Sequence, residues 1–314
     1  RGAYVYGDYS TGKIWAGKHD GQKVLWHREI ADTPFAITGF ASDTNGNLIV
    51  IDDHTGFHRL RRNPLTDRAP GFPLSLSETG LFKDIARHQV AAGVIPYSVN
   101  VPHWVDGAES THFLTIPDDG HLRLSGNRGW DAPEGTVLLQ TFSRGEKRIE
   151  TRMLTKQDNE WVGYSFAWNK GQTDAKLVNR EGRDLLLSDG RPWRIPSRAE
   201  CMMCHSRAAK YTLGLTETQM NLVHDYGEGQ FSQIEGLTRL GILTGAKPAE
   251  YRPGGKAVGR RLVDPHDSKM AIEPRVRSYW QANCAHCHVE AGGGNAKMEL
   301  EWNRALVDTR TIDI

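Results

Sequence analysis

Cys201-Met202-Met203-Cys204-His205 and Cys284-Ala285-His286-Cys287-His288 are the two stretches that decide how this chain reads, and together they use all four of its cysteines. Each is a C-x-x-C-H. Two thiols three apart can bond to both vinyl groups of a haem, while the histidine that follows takes one axial position on the iron. Zinc wants four ligands converging from closely spaced knuckles and gives no reason for both trailing histidines. A thioredoxin-like dithiol belongs at the start of a helix in a βαβ unit, and no such alternation surrounds either motif. Two small disulfides remain a blander reading. The spacing predicts two covalently bound c-type haems, one on Cys201 and Cys204 with His205 on its iron, the other on Cys284 and Cys287 with His288.

The far side of each iron is less defined. Met270 follows the first motif at a spacing that suits His/Met ligation and is the expected distal ligand there, with Met220 and His224 as competitors. Met220 keeps helical spacing with apolar neighbours, which suits core packing, and His224 suits a solvated or capping role. After His288 the remaining methionine is Met298, a short reach; the ligand is expected from beyond Ile314, from another chain, or from an upstream histidine. Met202, Met203 and His286 read as spacers. Methionine would raise the potential and a second histidine would lower it, whereas an open position would let small molecules bind.

The chain has 314 residues, with 39 Lys and Arg against 38 Asp and Glu. That length leaves room for more than one domain. The near balance of charge, without a basic stripe, argues against nucleic acid as a partner. No apolar run approaches the roughly 20 residues of a membrane helix. Haem is attached to C-x-x-C-H outside the cytoplasmic membrane, so the expected location is the periplasm or the extracellular space.

Outward from the motifs, the pattern predicts a mixed fold: partial β-propeller blades, a β-sandwich-like domain, then α-helical cytochrome c-type modules. Short strands and turns over 1–62 have the rhythm of propeller blades, too few to close a propeller. Residues 63–92 read as a proline-bearing linker with a helix over Leu81 to Ala92. Residues 93–195 carry seven strand-like runs and five tryptophans, at 104, 130, 161, 168 and 193, expected in a β core. Residues 196–272 form the first haem module. There Ser197 with Glu200, and Thr216 with Gln219, mark helix starts. Residues 273–314 begin a second, cytochrome c-like module, in which Pro274 opens a helix whose Val276, Tyr279 and Trp280 share one face.

From about Leu76 onward the chain resembles exported bacterial dihaem proteins fused behind glucose/sorbosone dehydrogenase-like propellers. The stretches that carry this are 76–82, 96–100, 104–108, 133–137, 149–152, 173–175, 195–198 and 283–288, and the head, Tyr4 to Trp15, looks like a closing propeller blade. Such propellers bind pyrroloquinoline quinone and calcium and oxidise sugars. The resemblance implies a haem segment that accepts electrons from a module of this kind, with quinone and calcium held only by blades outside this stretch. Both ends of the chain look cut relative to that family. More loosely, a β-domain followed by C-x-x-C-H resembles P460 and beta-type cytochrome c′ proteins, with Gln140 where such proteins can have a lysine. The expected function is electron transfer between redox partners. The alternatives are a haem enzyme with an open distal site and a subunit of an extracellular multi-haem conduit.

Overall fold

The computed structural model describes residues 2–9, 12–33, 35–61, 71–117, 119–124, 128–226, 230–245 and 260–311. They fall into two compact units, residues 1–72 with 290–293, and residues 73–289 with 294–314.

In the first unit, β1 (Tyr4–Gly7), β2 (Lys13–His19) and β3 (Val24–Asp32) form one antiparallel meander, and β4 (Ile37–Ser42), β5 (Leu48–Asp52) and β6 (Gly56–Arg59) form another. The strands lie where alternation and turn residues put them. The buried side chains of Ile14, Ile37 and Val50 gather Val5, Ile30, Phe35 and Phe40 into a small core. Among the described residues each sheet has three strands, and none of the expected four-stranded propeller blades forms.

The second unit is built on one six-stranded antiparallel sheet. β9 (Ile95–Tyr97), β10 (Glu109–Thr115), β12 (Val137–Arg144), β13 (Lys147–Gln157), β14 (Glu160–Trp168) and β15 (Ala175–Leu177) lie in the order β15-β14-β13-β12-β10-β9. Two-residue turns fix the register of its centre: Gly145-Glu146 joins β12 to β13, and Asp158-Asn159, both with positive φ, joins β13 to β14. Smaller pieces surround this sheet: the hairpin β7 (Phe82–Asp84) and β8 (Gln89–Val90), β11 (Leu122–Arg123), and the ribbon β16 (Arg183–Leu186) with β17 (Pro192–Ile195). Then come α1 (Arg198–Cys204), α2 (Glu217–Met220), the hairpin β18 (Val223–Asp225) and β19 (Gln230–Ser232), α3 (Gln233–Arg239), β20 (Leu243–Thr244) and α4 (Ile272–Asn283).

Three expectations are corrected here. The span read as a sandwich is a single sheet with ribbons, because its strands pair in one continuous ladder. Leu81 to Ala92 is the β7–β8 hairpin, not a helix, since Phe82 and Val90 pair across a turn in which His88 takes a positive φ. Nor are there helical cytochrome modules. α1, α2 and α3 are seven residues or fewer and share one apolar core with the sheet, in which Leu114, Leu138, Leu154 and Trp161 meet Met202, Leu215, Met220, Ile234 and Leu237. Helices this short are not stable alone, so burial against the sheet holds them. Trp130, Trp161, Trp168 and Trp193 are buried as expected, whereas Trp104 is exposed.

α4 is the longest helix among the described residues, and it differs from its expected apolar pattern. Its buried residues are Arg277 and Ser278, not Val276, Tyr279 and Trp280. Arg277 Nη2 donates to the carbonyls of Trp302 and Arg304, and Ser278 Oγ accepts from the Val263 backbone at 3.0 Å. Polar bonds to the chain on either side therefore seat this helix.

Candidate functional site

Cross-strand pairing lines up two rows of side chains on one face of the large sheet. Leu114, Leu138, Leu154 and Gly163 form one, and Tyr97, His112, Gln140, Arg152 and Ser165 form the next. Residues directly opposite each other point the same way, so a polar row runs beside an apolar one. α1 lies over the Gly163 end. A β-carbon on Gly163 would stand 2.6 Å from Cys201 Cβ and 3.1 Å from its Sγ, so only glycine lets this helix sit on the strand.

The start of α1 is fixed as its sequence predicts. Ser197 Oγ accepts from the Glu200 N–H at 3.0 Å, and the Glu200 carboxylate accepts from the Ser197 N–H at 2.6 Å. Arg194 donates to the same carboxylate at 2.9 Å, and with these bonds it lowers the Glu200 pKa to about 2. Cys201 and Cys204 are one turn apart, and both line a cavity of about 170 Å³ together with His205. Val99, Val101, Leu138, Leu154 and Leu213 supply its apolar walls, and His103, His112, Gln140 and Arg152 its polar ones.

His205 is held in one tautomer. Its Nδ1 lies 2.6 Å from the Tyr211 carbonyl, which can only accept, so the proton is on Nδ1 and Nε2 keeps a free lone pair. Burial, with some help from Arg152, lowers its pKa to about 4, so the ring is neutral at ordinary pH. Burial pushes the Cys201 thiol up to about 11.

Arg152 projects from the polar row and is fixed by two partners. Its guanidinium makes two bonds to Glu150, at 2.9 and 3.2 Å, and stacks over the Phe142 ring at 4.5 Å. Glu150 is fully buried and also accepts from Trp193 Nε1 at 3.0 Å. A buried carboxylate with these partners is fully satisfied, and it holds a cation beside the first motif.

The second motif meets the first. α4 ends at Asn283, and the Cys284 and Ala285 N–H groups both reach back to the Trp280 carbonyl. Beyond this turn, the Cys204 and Cys287 thiols are neighbours, and their interaction, with His286 beside Cys287, raises the pKa of Cys204 and lowers that of Cys287. None of the four cysteines is in a disulfide. His288 differs from His205, because its Nδ1 is buried with no hydrogen-bond partner. Gly294 packs on that ring, where a β-carbon would come within 2.9 Å of Nδ1.

Among the expected distal ligands, Met270 lies in a turn and is 39% exposed, apart from the residues that line the cavity. Met220 is fully buried, with the Gln233 amide 3.3 Å from its sulfur, and belongs to the core. His224 Nδ1 pairs with Ser98 Oγ at 2.9 Å. The polar row is what sequence reading missed. Its residues come from five separate strands, and of them the sequence marks only Gln140.

The residues that could hold a haem are the two thiols and the adjacent imidazole of each motif. Among the described residues, no group of three or more His, Cys, Asp or Glu side chains is arranged to hold a metal. Each C-x-x-C-H instead presents two free thiols and an adjacent imidazole. Compared with known proteins, the chain matches no family model, no curated protein and no solved structure. No described helix is long and apolar enough to cross a membrane.

Proposed function

We propose that this chain binds two c-type haems and relays electrons between redox partners outside the cytoplasm. The observation that carries this reading is the cavity that Cys201, Cys204 and His205 line together, with the His205 ring fixed by the Tyr211 carbonyl.

In this reading Cys201, Cys204 and His205 hold one haem and Cys284, Cys287 and His288 the other. A bound haem supplies a one-electron couple whose potential is set by its axial ligands and surroundings. The chain's own part is positional. Tyr211 orients His205, Gly163 makes room for Cys201, and Glu150 keeps Arg152 in place beside the motif. The apolar walls exclude water from the iron's surroundings, which lowers the reorganisation that each electron transfer demands. Val276, Tyr279 and Trp280, half-buried or exposed next to the second motif, offer an aromatic surface to a porphyrin edge. The donor suggested by the sequence resemblance is a quinone-dependent sugar dehydrogenase module or a similar redox partner.

The polar row of His112, Gln140 and Arg152 favours a second reading, in which the first haem binds a small substrate at an open iron. The deciding experiment is expression with a haem-attachment system, followed by mass spectrometry and a pyridine haemochrome assay. Two thioether-bound haems per chain are expected, and full reduction and reoxidation should proceed without carbon monoxide binding. A chain that matures without covalent haem would overturn the proposal, and rapid carbon monoxide binding would favour the enzyme.

A further inference from the structure

We infer that His103 supplies the second axial imidazole to the haem held by Cys201, Cys204 and His205. This inference rests on the haem reading above and replaces Met270 in that role.

His103 lies in the loop between β9 and β10 and lines the same cavity as His205. The loop is tied down along its length. Val101 exchanges two hydrogen bonds with the buried Gln219 side chain, at 2.9 and 2.8 Å, and Asn100 Nδ2 donates to the Thr218 carbonyl at 2.8 Å. Just past His103, the Trp104 N–H donates to Asn283 Oδ1 at 2.8 Å, which joins the loop to the end of α4. The position of His103 is therefore set from both sides, by α2 and by the end of α4, the helix that leads into the second motif.

Its ring is prepared in the same way as that of His205. Nδ1 lies 3.1 Å from the Ala282 carbonyl, an acceptor only, so Nδ1 carries the proton and Nε2 keeps its lone pair. A backbone carbonyl on the far nitrogen is the usual support of a metal-bound imidazole: it fixes the tautomer and strengthens the donor. Two histidines prepared in this way line one cavity beside one pair of thiols.

The other nearby imidazoles are worse placed. His286 bonds to the Cys287 thiol and packs edge-on against His103, with ring centroids 5.8 Å apart. His112 lies in the sheet, tilted against Tyr97 at 5.3 Å, with no carbonyl to set its tautomer. An imidazole on each side of the iron would make the first haem six-coordinate, low-spin and low in potential, a carrier rather than a substrate site.

The test uses the full, haem-loaded chain. Haem content is scored first, and a chain without covalent haem overturns the reading on which this inference rests. In the loaded protein, low-temperature electron paramagnetic resonance should show one bis-imidazole low-spin haem. His103→Gly should turn that signal high-spin and open one haem per chain to carbon monoxide, and added imidazole should restore the low-spin form. His286→Ala should leave it unchanged. A loaded His103→Gly protein with the wild-type spectrum would sink the inference, as would transfer of the effect to His286→Ala.

Discussion

Gly163 and Cys201 are packed so closely that no side chain fits between them: a β-carbon on the glycine would lie 2.6 Å from that of the cysteine. The contact couples a strand of the sheet to the first turn of α1, the helix that carries the first C-x-x-C-H. Gly163→Ala should push α1 off β14, cost about 1–3 kcal/mol in urea denaturation, and lower haem occupancy at the first motif. Gly39→Ala, where the nearest atom is an ordinary 3.6 Å away, serves as the control and should be nearly neutral.

Glu150 is the anion on which Arg152 depends. Glu150→Ala leaves a guanidinium beside the cavity without its partner and Trp193 Nε1 without an acceptor. We expect a loss of about 3–5 kcal/mol in chemical denaturation, the range seen when one member of a buried ion pair is removed. Glu150→Gln keeps the shape and an acceptor for Trp193, and should lose less. Equal stability of wild type and Glu150→Ala would show that the pair holds nothing in place.

The opposite face of the sheet carries a pH-dependent element. His88 Nε2 lies 3.0 Å from Thr141 Oγ1, which lies 2.7 Å from Thr151 Oγ1, which in turn accepts from Trp168 Nε1 at 2.9 Å. A neutral ring suits this chain, because Thr151 can pass its own proton toward Thr141 and Thr141 can donate to Nε2. Burial, with Arg148 nearby, lowers the His88 pKa to about 4, whereas the unfolded chain takes up this proton near 6.5. The stabilisation is complete above about 6.5 and is lost as the pH falls toward 4, by at most about 1.4 kcal/mol per pH unit. His112 and His205 shift in the same direction, so the informative quantity is a difference. Over this window His88→Phe should lose stability less steeply than wild type. Parallel curves would remove His88 from the account.

The two proximal histidines should set unequal potentials. His205 gives its Nδ1 proton to a carbonyl, which makes the ring a stronger donor and favours ferric iron, whereas Nδ1 of His288 has no partner. Spectroelectrochemistry should resolve two waves, and Cys201→Ser with Cys204→Ser should remove the lower one. Loss of the upper wave instead would reverse the assignment.

Much of this fold was legible in the sequence where the cause is local. The Ser197–Glu200 capping box, the Thr216 N-cap, the strand alternation and Pro274 in the first turn of α4 act over a few residues, and each lies where its pattern put it; the Gln219 amide, expected to close a second box, bonds to Val101 instead. What misled was inference from a local sign to a whole module. An S-x-x-E before C-x-x-C-H announces a helix, but whether that helix joins a bundle or lies on a sheet depends on partners such as Gly163, remote in sequence. The apolar face expected on α4 failed for a similar reason, since Arg277 finds its carbonyls only when the chain beyond 300 folds back. The row of His112, Gln140 and Arg152 depends on register across strands, which no single strand records.

The thiol pair of Cys204 and Cys287 has a consequence for how the protein is made. A cysteine with a lowered pKa beside a second thiol is poised for oxidation, and the bond it would form joins one haem-binding motif to the other. Chains folded without haem and treated with oxidised glutathione should yield a Cys204–Cys287 cross-link in peptide mapping, and should afterwards accept haem at neither motif until reduced. Folding ahead of cofactor delivery therefore leads to a dead end, and the order of the two events during biogenesis matters as much as the presence of the motifs.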